Sequence, residues 1–336
     1  MHWIRRLAVF CFVAVVSMGA SGETDRPLRF SLPPVLEALP IAFAQEWDLF
    51  ESHGVSVELI GITDSQQRSA ALITGNLDGV MEDVTRSILD ATTAGDVVMT
   101  SAATSRPQTG SLSLALLSPA SFRIDSFESL LVSAYAIGTL YRSDCEYLLD
   151  QILDDGRGAG GSMPKILYFH DILQMAVWFG AQTLPAAVLP EPYISYLATY
   201  HPVGGRPIDL VIHDDFSSTG VLPAVILFHR SYVERNPDAV EAFYAAYAEA
   251  IERINSTSRE ELIDLGIDLA LSLFFQGADR TTINQEVLDT IPIPTFGAPT
   301  VLTREDFDRV LAWMLDKGYV YVAPTYEEST DFRFIR

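Results

Sequence analysis

From Leu28 to Val84 apolar runs of strand length alternate with helical patterns, a rhythm that leaves few folds open. Leu28–Leu32 reads as a strand entering Pro33-Pro34, and a helix follows to about His53. Pro near a helix start costs little, because the first helical N–H groups lack partners anyway. Gly54 closes that helix. Val55–Ile62 alternates as a second strand, and Asp64 is a good N-cap for a helix to Thr74. Asp78–Met81 reads as a short buried strand, Val84–Ala94 as a helix and Val97–Ser101 as a strand. Such strand–helix–strand units predict a parallel sheet with helices on both faces.

The middle of the chain continues the pattern. Strands are expected at Leu112–Leu117, Val132–Ile137, Ile166–Phe169, Ala186–Leu189, Ile208–Ile212 and Val221–Phe228. Helices are expected at Ser126–Leu131, Arg142–Leu153 and Asp171–Ala181. From Ser231 onward the character is helical. Val240, Phe243, Tyr244, Tyr247 and Ile251 share one face of a helix over Val233–Asn255, and further helices are expected at Arg259–Phe274, Thr282–Thr290 and Arg304–Lys317. With 336 residues there is room for two lobes, each with its own core. No repeat or low-complexity linker separates them, which fits two lobes joined by strand-like crossings near 113–118 and 215–222.

Residues 1–22 have the form of a secretion signal. Arg5 and Arg6 precede the apolar stretch Leu7–Met18, and Ala20-Ser21-Gly22 offers small residues for cleavage before Glu23. The apolar stretch is short for a membrane span, which needs about 20 residues; a retained anchor is the alternative. The expectation is an exported, periplasmic protein processed near Gly22. Processing removes Cys11 and leaves Cys145 alone, so no internal disulfide is expected. A formal charge of −22 disfavours nucleic acid and anionic membrane surfaces as partners.

The six histidines show no metal-ligand spacing, and no nucleophile-elbow or zinc-helix motif occurs. The glycine run Gly156–Gly161 follows a helix rather than a strand, so it reads as a loop and not a phosphate cradle. Neither metal nor cofactor is expected. Adjacent acids at Asp154-Asp155, Asp214-Asp215 and Glu327-Glu328 read as solvated turns. Glu82-Asp83 differs, because it follows an apolar strand and opens a helix. Asp83 is then either an N-cap or a ligand contact, or both. In open α/β sheets, ligands sit beyond the carboxyl ends of strands. That places interest on Leu32–Glu37, Asp64–Gln67 and Ser101–Thr104 in one half, and Gly138–Tyr141, His170–Asp171 and Pro190–Tyr193 in the other.

Ala38-Leu-Pro-Ile-Ala-Phe-Ala-Gln-Glu-Trp-Asp-Leu-Phe50 resembles the opening helix of a family of solute-binding proteins that serve ABC importers for nitrate, sulfonates, taurine and thiamine pyrimidine precursors. Gln67–Asp83, Ile137-Gly-Thr139 with Glu146-Tyr-Leu-Leu149, Ala187-Val-Leu-Pro-Glu-Pro-Tyr193 and Pro237–Asn255 are similar to that family's later segments, in order. The likeness covers about residues 27–255. Trp47-Asp48 and Pro185 depart from the pattern, and Phe122–Leu131 lacks its usual Lys-Gly turn. The resemblance implies the type II periplasmic binding protein fold, two parallel-sheet α/β lobes joined by two crossings with a cleft between them. It divides the chain into a first part of lobe I over 27–117, lobe II over 118–217, and the rest of lobe I with C-terminal helices over 218–336. Carried over, Glu37, Ser65, Asp83 and Thr85 line one wall, and Gly138, Thr139, Asp171, Glu191 and Tyr193 the other.

The implied function is non-enzymatic: a monomer that captures a small molecule by lobe closure and delivers it to an ABC permease in the inner membrane. Oxyanions call for converging Arg, Lys or backbone donors. The wall segments hold Glu37, Glu82, Asp83, Asp171 and Glu191, with Arg68 and Arg142 as the nearby cations. An N-heterocyclic or amine-bearing organic solute is therefore expected, with Tyr141, Trp178 and Tyr193 as aromatic neighbours. An enzyme on the same scaffold and a sensing subunit for a membrane receptor are the alternatives.

Overall fold

The computed structural model describes residues 26–106, 112–156, 164–199, 207–275, 280 and 285–335. Residues 1–22, the glycine run past Gly156 and the start of the helix expected from Thr282 lie outside the described residues. Strands are β1 (Leu28–Leu32), β2 (Val57–Gly61), β3 (Gly79–Glu82), β4 (Val97–Arg106), β5 (Leu114–Pro119), β6 (Ala136–Leu140), β7 (Lys165–Phe169), β8 (Ala186–Pro190), β9 (Leu210–Asp214), β10 (Val225–His229) and β11 (Thr295–Thr300). The α-helices are α1 (Leu39–Glu46), α2 (Leu49–Ser52), α3 (Ser65–Ile73), α4 (Val84–Ala94), α5 (Phe127–Val132), α6 (Asp144–Gly156), α7 (Ile172–Gly180), α8 (Tyr193–Thr199), α9 (Arg230–Arg235), α10 (Pro237–Ser256), α11 (Arg259–Phe274), α12 (Gln285–Leu288), α13 (Arg304–Asp316) and α14 (Tyr326–Ser329).

Two sheets form, in the orders β11-β4-β10-β3-β1-β2 and β7-β6-β8-β5-β9. Each has a parallel centre: β1 runs with β2 and β3, and β6 with β7 and β8. Neither is wholly parallel, because β10 runs against β3 and β4, and β5 against β8 and β9. The reason is connectivity. A strand that enters a sheet directly from the other lobe starts at the cleft end, so it must run against neighbours that finish there. For the same reason β5 belongs to the second sheet from Leu114, and the first crossing falls between Arg106 and Leu114 rather than through 113–118. The chain returns between Asp214 and Val225.

Local chemistry sets the element ends. Asp64, Asp83, Ser126, Asp171, Ser258 and Thr303 each accept a bond from the first-turn backbone of the following helix. The helix expected to run unbroken to His53 stops at Trp47, because Asp48 takes a left-handed φ of 55°. The long helix over Val233–Asn255 is interrupted at Asn236, where Pro237 opens α10 and has no N–H to give. β11 was not expected from sequence; it pairs with β4 and closes the sheet edge.

Three apolar clusters follow. One packs α1, α10 and α11 on one face of the first sheet, around Phe30, Phe43, Phe50 and Phe243. A second covers the outer face of the second sheet beneath α7 and α8. The third is continuous across both sheets: it joins α4 and α13 to α6 and includes Phe216 and Leu222 of the return crossing. The lobes thus share a core on the crossing side.

Candidate functional site

The loops after β2 and β7 meet directly. Ser65 N donates to the His170 carbonyl at 3.1 Å, and Thr63 Oγ1 donates to Asp171 Oδ2 at 2.8 Å. The loops after β1 and β8 meet through Tyr193, whose hydroxyl donates to the Pro34 carbonyl at 2.8 Å. The carboxyl ends of the parallel strands therefore face one another across one seam, where ligands sit in open α/β sheets.

At the seam nearest the crossings, helix meets helix. Asp144, the first residue of α6, reaches from the second lobe to the N-terminus of α4 in the first. Its carboxylate accepts from Val84 N at 3.1 Å, Thr85 N at 2.8 Å and Thr85 Oγ1 at 2.7 Å. Unpaired N–H groups and the helix dipole make such an end a ready anion site, and here the chain fills it itself. Asp83 accepts from Arg86 N within the same turn. Burial, then the charges of Asp144 and Glu82, push Asp83 well above the usual carboxylate range. Burial raises Asp144 to about 6 against the lowering effect of its three bonds, and burial with Glu82 beside it raises Asp90 to about 7. Glu82 itself is bound at both oxygens by Arg68, at 2.6 and 2.9 Å, with both side chains buried.

A second group of acids lies where the β1 loop approaches β8. Glu37 is half-buried on the short turn Leu36–Ala38; among the described residues its carboxylate accepts from its own backbone N–H and, at 3.5 Å, from Ser105 Oγ. Glu191 follows β8 and accepts from Ser195 N and Oγ at 3.0 and 2.8 Å. Burial raises both, and the charge of Glu37 adds to the rise at Glu191, so the two carboxylates feel each other across the lobes. Among the described residues neither forms an ion pair.

The residues expected from sequence fall into three kinds. Glu37, Ser65, Asp83, Thr85, Asp171, Glu191 and Tyr193 all lie on the facing loops or in the first turn of the helix that follows. Of these, Asp83 and Asp171 cap helices, and Thr85, Ser65 and Tyr193 bond across the lobes. Gly138 is a packing residue instead: a Cβ there would come within 2.5 Å of Leu184 Cδ2, inside the second lobe. Thr139 is fully buried within β6, and its hydroxyl has no hydrogen-bond partner among the described residues.

Arg68 is not a cleft cation, since Glu82 holds it. Arg142 stacks on the rings of Tyr141 and Tyr319 at 5.0 and 4.7 Å. The cation that sequence reasoning missed is Arg86. It is buried, reaches Ser65 Oγ and the Tyr141 carbonyl at 3.4 and 3.5 Å, and among the described residues its Nε has no partner. Its place three residues after Asp83, one helical turn from a strand end, was the available signal. Asp144 was also missed, although a helix-opening acid after a strand end is the same signal in the second lobe.

No family model matches the chain, and no curated protein matches it in sequence. Solved structures do. The aliphatic sulphonate binding protein SsuA of Escherichia coli is similar at 18% identity and a TM-score of 0.66, over 91% of this chain and 97% of its own. The alkanesulfonate-binding SsuA of Xanthomonas axonopodis pv. citri, bound to MOPS, is similar at 15% identity and 0.68, over 91% and 98%. A zinc-bound ligand-binding component of an ABC-type import system from Staphylococcus aureus is similar at 10% and 0.67, over 92% and 97%. At these identities the likeness shows the fold. It is the periplasmic binding protein fold, two α/β lobes with mixed sheets.

Proposed function

We propose that this chain is the exported solute-binding component of an ABC importer, and that it captures a small organic solute carrying N–H donors or an amine. The fold supports the transport role, since proteins built this way capture ligand by closing two lobes and so shift that equilibrium. Export rests on the signal-like N-terminal sequence. Among the described residues no helix is long and apolar enough to cross a membrane. Binding rather than turnover is favoured because the polar side chains at the seam are engaged as helix caps and lobe-to-lobe contacts.

The observation that carries the solute class is the approach of Glu37 and Glu191 from opposite lobes, neither ion-paired among the described residues. Two carboxylates approaching in a low-dielectric seam raise each other's energy, and an ammonium or a ring bearing N–H donors relieves that. The second support is negative: the α4 N-terminus, which would hold an oxyanion, is occupied by Asp144. An oxyanion would have to find its donors elsewhere in the seam.

A thermal-shift screen against aminopyrimidines, polyamines, taurine, alkanesulfonates and nitrate tests the proposal. A ligand at a hundred times its Kd stabilises the fold by about 2.7 kcal/mol. Stabilisation by an amine or aminopyrimidine that disappears in the Glu37→Gln/Glu191→Gln variant is the expected result. Stabilisation by nitrate or a simple alkanesulfonate, retained in that variant, overturns the solute class.

A further inference from the structure

Where the β3 end meets the β6 end, the fold leaves a group of polar atoms unused. Arg86 lies in the first turn of α4, and Tyr141 follows β6 on the facing lobe. Around Tyr141, four buried side-chain atoms have no hydrogen-bond partner among the described residues: Arg86 Nε, Arg142 Nε, His170 Nδ1 and Thr139 Oγ1. They form one neighbourhood. Arg86 reaches the Tyr141 carbonyl, Arg142 lies over the Tyr141 ring at 5.0 Å, and the His170 ring meets that ring edge-on at 5.5 Å. Ser65 Oγ links Arg86 to His170: it accepts from Arg86 and donates to the His170 carbonyl, each at 3.4 Å. Buried polar atoms are rarely left unmet, and several in one place call for a water, an ion or a ligand.

The charge balance says which. Arg86 and Arg142 are cations, and the acids near them are engaged elsewhere. Glu82 is held by Arg68, Asp83 accepts from the Arg86 backbone rather than its guanidinium, and Asp90 accepts from Ser69. Glu146 is paired with Lys317, and Asp171 accepts from Thr63 and the α7 backbone. Among the described residues no carboxylate forms an ion pair with the guanidinium of Arg86 or of Arg142. Arg86 is only 5% exposed, and a buried charge without a counter-ion is costly. Ser65, Tyr141, Arg142 and His170 are partly exposed, so the neighbourhood is open at its rim.

We propose that this neighbourhood, centred on Arg86, is an anion subsite, and that it takes a carboxylate of the same solute whose amine or N–H end meets Glu37 and Glu191. The Nε and Nη of a guanidinium form a fork that fits the two oxygens of a planar carboxylate. β1 is the neighbour of β3 in one sheet, and β8 of β6 in the other, so the two subsites occupy adjacent strand ends on both walls. Adjacent strands lie about 5 Å apart, which suits an amine and a carboxylate separated by a few bonds. The solute class narrows to a small amino carboxylate rather than a simple amine.

The inference rests on the reading of Glu37 and Glu191 as the amine end, and its test separates the two. Thermal shift of the full chain at neutral pH compares ω-amino carboxylates, from glycine to aminohexanoate, with alkylamines, alkanecarboxylates and aminosulfonates of matched length. At least one amino carboxylate should bind about tenfold or more tighter than its matched amine, the fold-change for one charge-assisted hydrogen bond. Arg86→Gln should remove that gain and leave amine binding as it was. Arg86→Lys, which keeps the charge but not the fork, should restore part of it. Glu37→Gln/Glu191→Gln should weaken the amine and the amino carboxylate alike. The comparison of ligands on the wild type needs no variant, so it decides even if Arg86→Gln folds poorly. No gain from any member of the series, or a gain that survives Arg86→Gln, overturns the inference; amines that still bind then leave the Glu37–Glu191 reading standing. A carboxylate without an amine that binds as tightly as the amino carboxylate, and weakens only in Arg86→Gln, supports the subsite and overturns the amine end instead. A larger gain from the aminosulfonate than from the amino carboxylate overturns the assignment to a carboxylate.

Discussion

The two acidic regions of the seam are built from the same residue types and behave differently. Around α4 every carboxylate has an internal partner: Glu82 has Arg68, Asp83 has the Arg86 backbone, Asp90 has Ser69 Oγ at 2.8 Å, and Asp144 has three donors on the facing helix. At the β1–β8 end Glu191 has Ser195, whereas Glu37 has, among the described residues, its own backbone N–H and a 3.5 Å contact with Ser105. Buried acids are tolerable when hydrogen-bonded or paired, and costly otherwise. The first region is therefore part of the structure of the clamp. On the proposed function, the second is where a solute completes the hydrogen bonding. Counting acids along the sequence cannot make that distinction, because it depends on which donors the fold brings up.

The sharpest way to break the comparison is to remove a partner from the satisfied region. Arg68→Met leaves Glu82 buried without its counter-ion. A loss of about 3–5 kcal/mol in unfolding free energy is expected, the range for breaking a buried pair from one side. Denaturant titration measures it. A loss below about 1 kcal/mol would mean that Glu82 finds another partner or takes up a proton, and that the α4 region is no better satisfied than the other end.

The sequence carried most of the fold for a physical reason. Short apolar runs with capped helices between them are local signals, and α3, α4 and α11 lie where the spacing of Asp64, Asp83 and Ser258 puts them. The loops of the seam were also legible, since the carboxyl ends of parallel strands are a topological property. What was not legible depended on long-range pairing. β11 has no meaning until β4 offers it an edge, and β5 and β10 reverse direction only because the chain changes lobes there. Arg68 looked like a cleft cation because Glu82 is 14 positions away and no local rule pairs them. Asp144 gave no local signal of this contact, because its acceptor role is played on a helix 60 residues earlier. Gly138 carried a family-like motif, yet its reason for being Gly is Leu184.

Two hydroxyls measure the regions more gently. Thr85→Val removes a donor to Asp144, and Tyr193→Phe removes the donor to the Pro34 carbonyl. Each should cost about 1 kcal/mol of stability, the usual net value of one hydrogen bond. They should differ in what else they change. Thr85→Val acts on a contact that is complete without solute, so its effect should be the same with and without bound ligand. Tyr193→Phe loosens the end beside Glu37 and Glu191, so it should also weaken ligand-induced stabilisation. Equal behaviour of the two variants toward ligand would erase the distinction between the regions.

The smallest expected effect has the opposite sign. Burial raises Glu37 above its ordinary value. The folded chain then holds a proton there over a pH range in which the unfolded chain has released it. Stability from this group is fully present below the unfolded value near 4.5 and is lost as pH rises through the folded value. At pH 8 the ionised carboxylate, weakly bonded and facing Glu191, destabilises the solute-free protein. Glu37→Gln removes that penalty without changing shape. The variant should melt slightly higher than wild type at pH 8, and the gap should close as the pH approaches 4. Asp83 and Asp144 stay fixed in both proteins, so the difference curve isolates the β1–β8 end. A variant that melts lower than wild type at pH 8 would mean that Glu37 is already compensated in the empty protein, and the contrast between the two regions would fail.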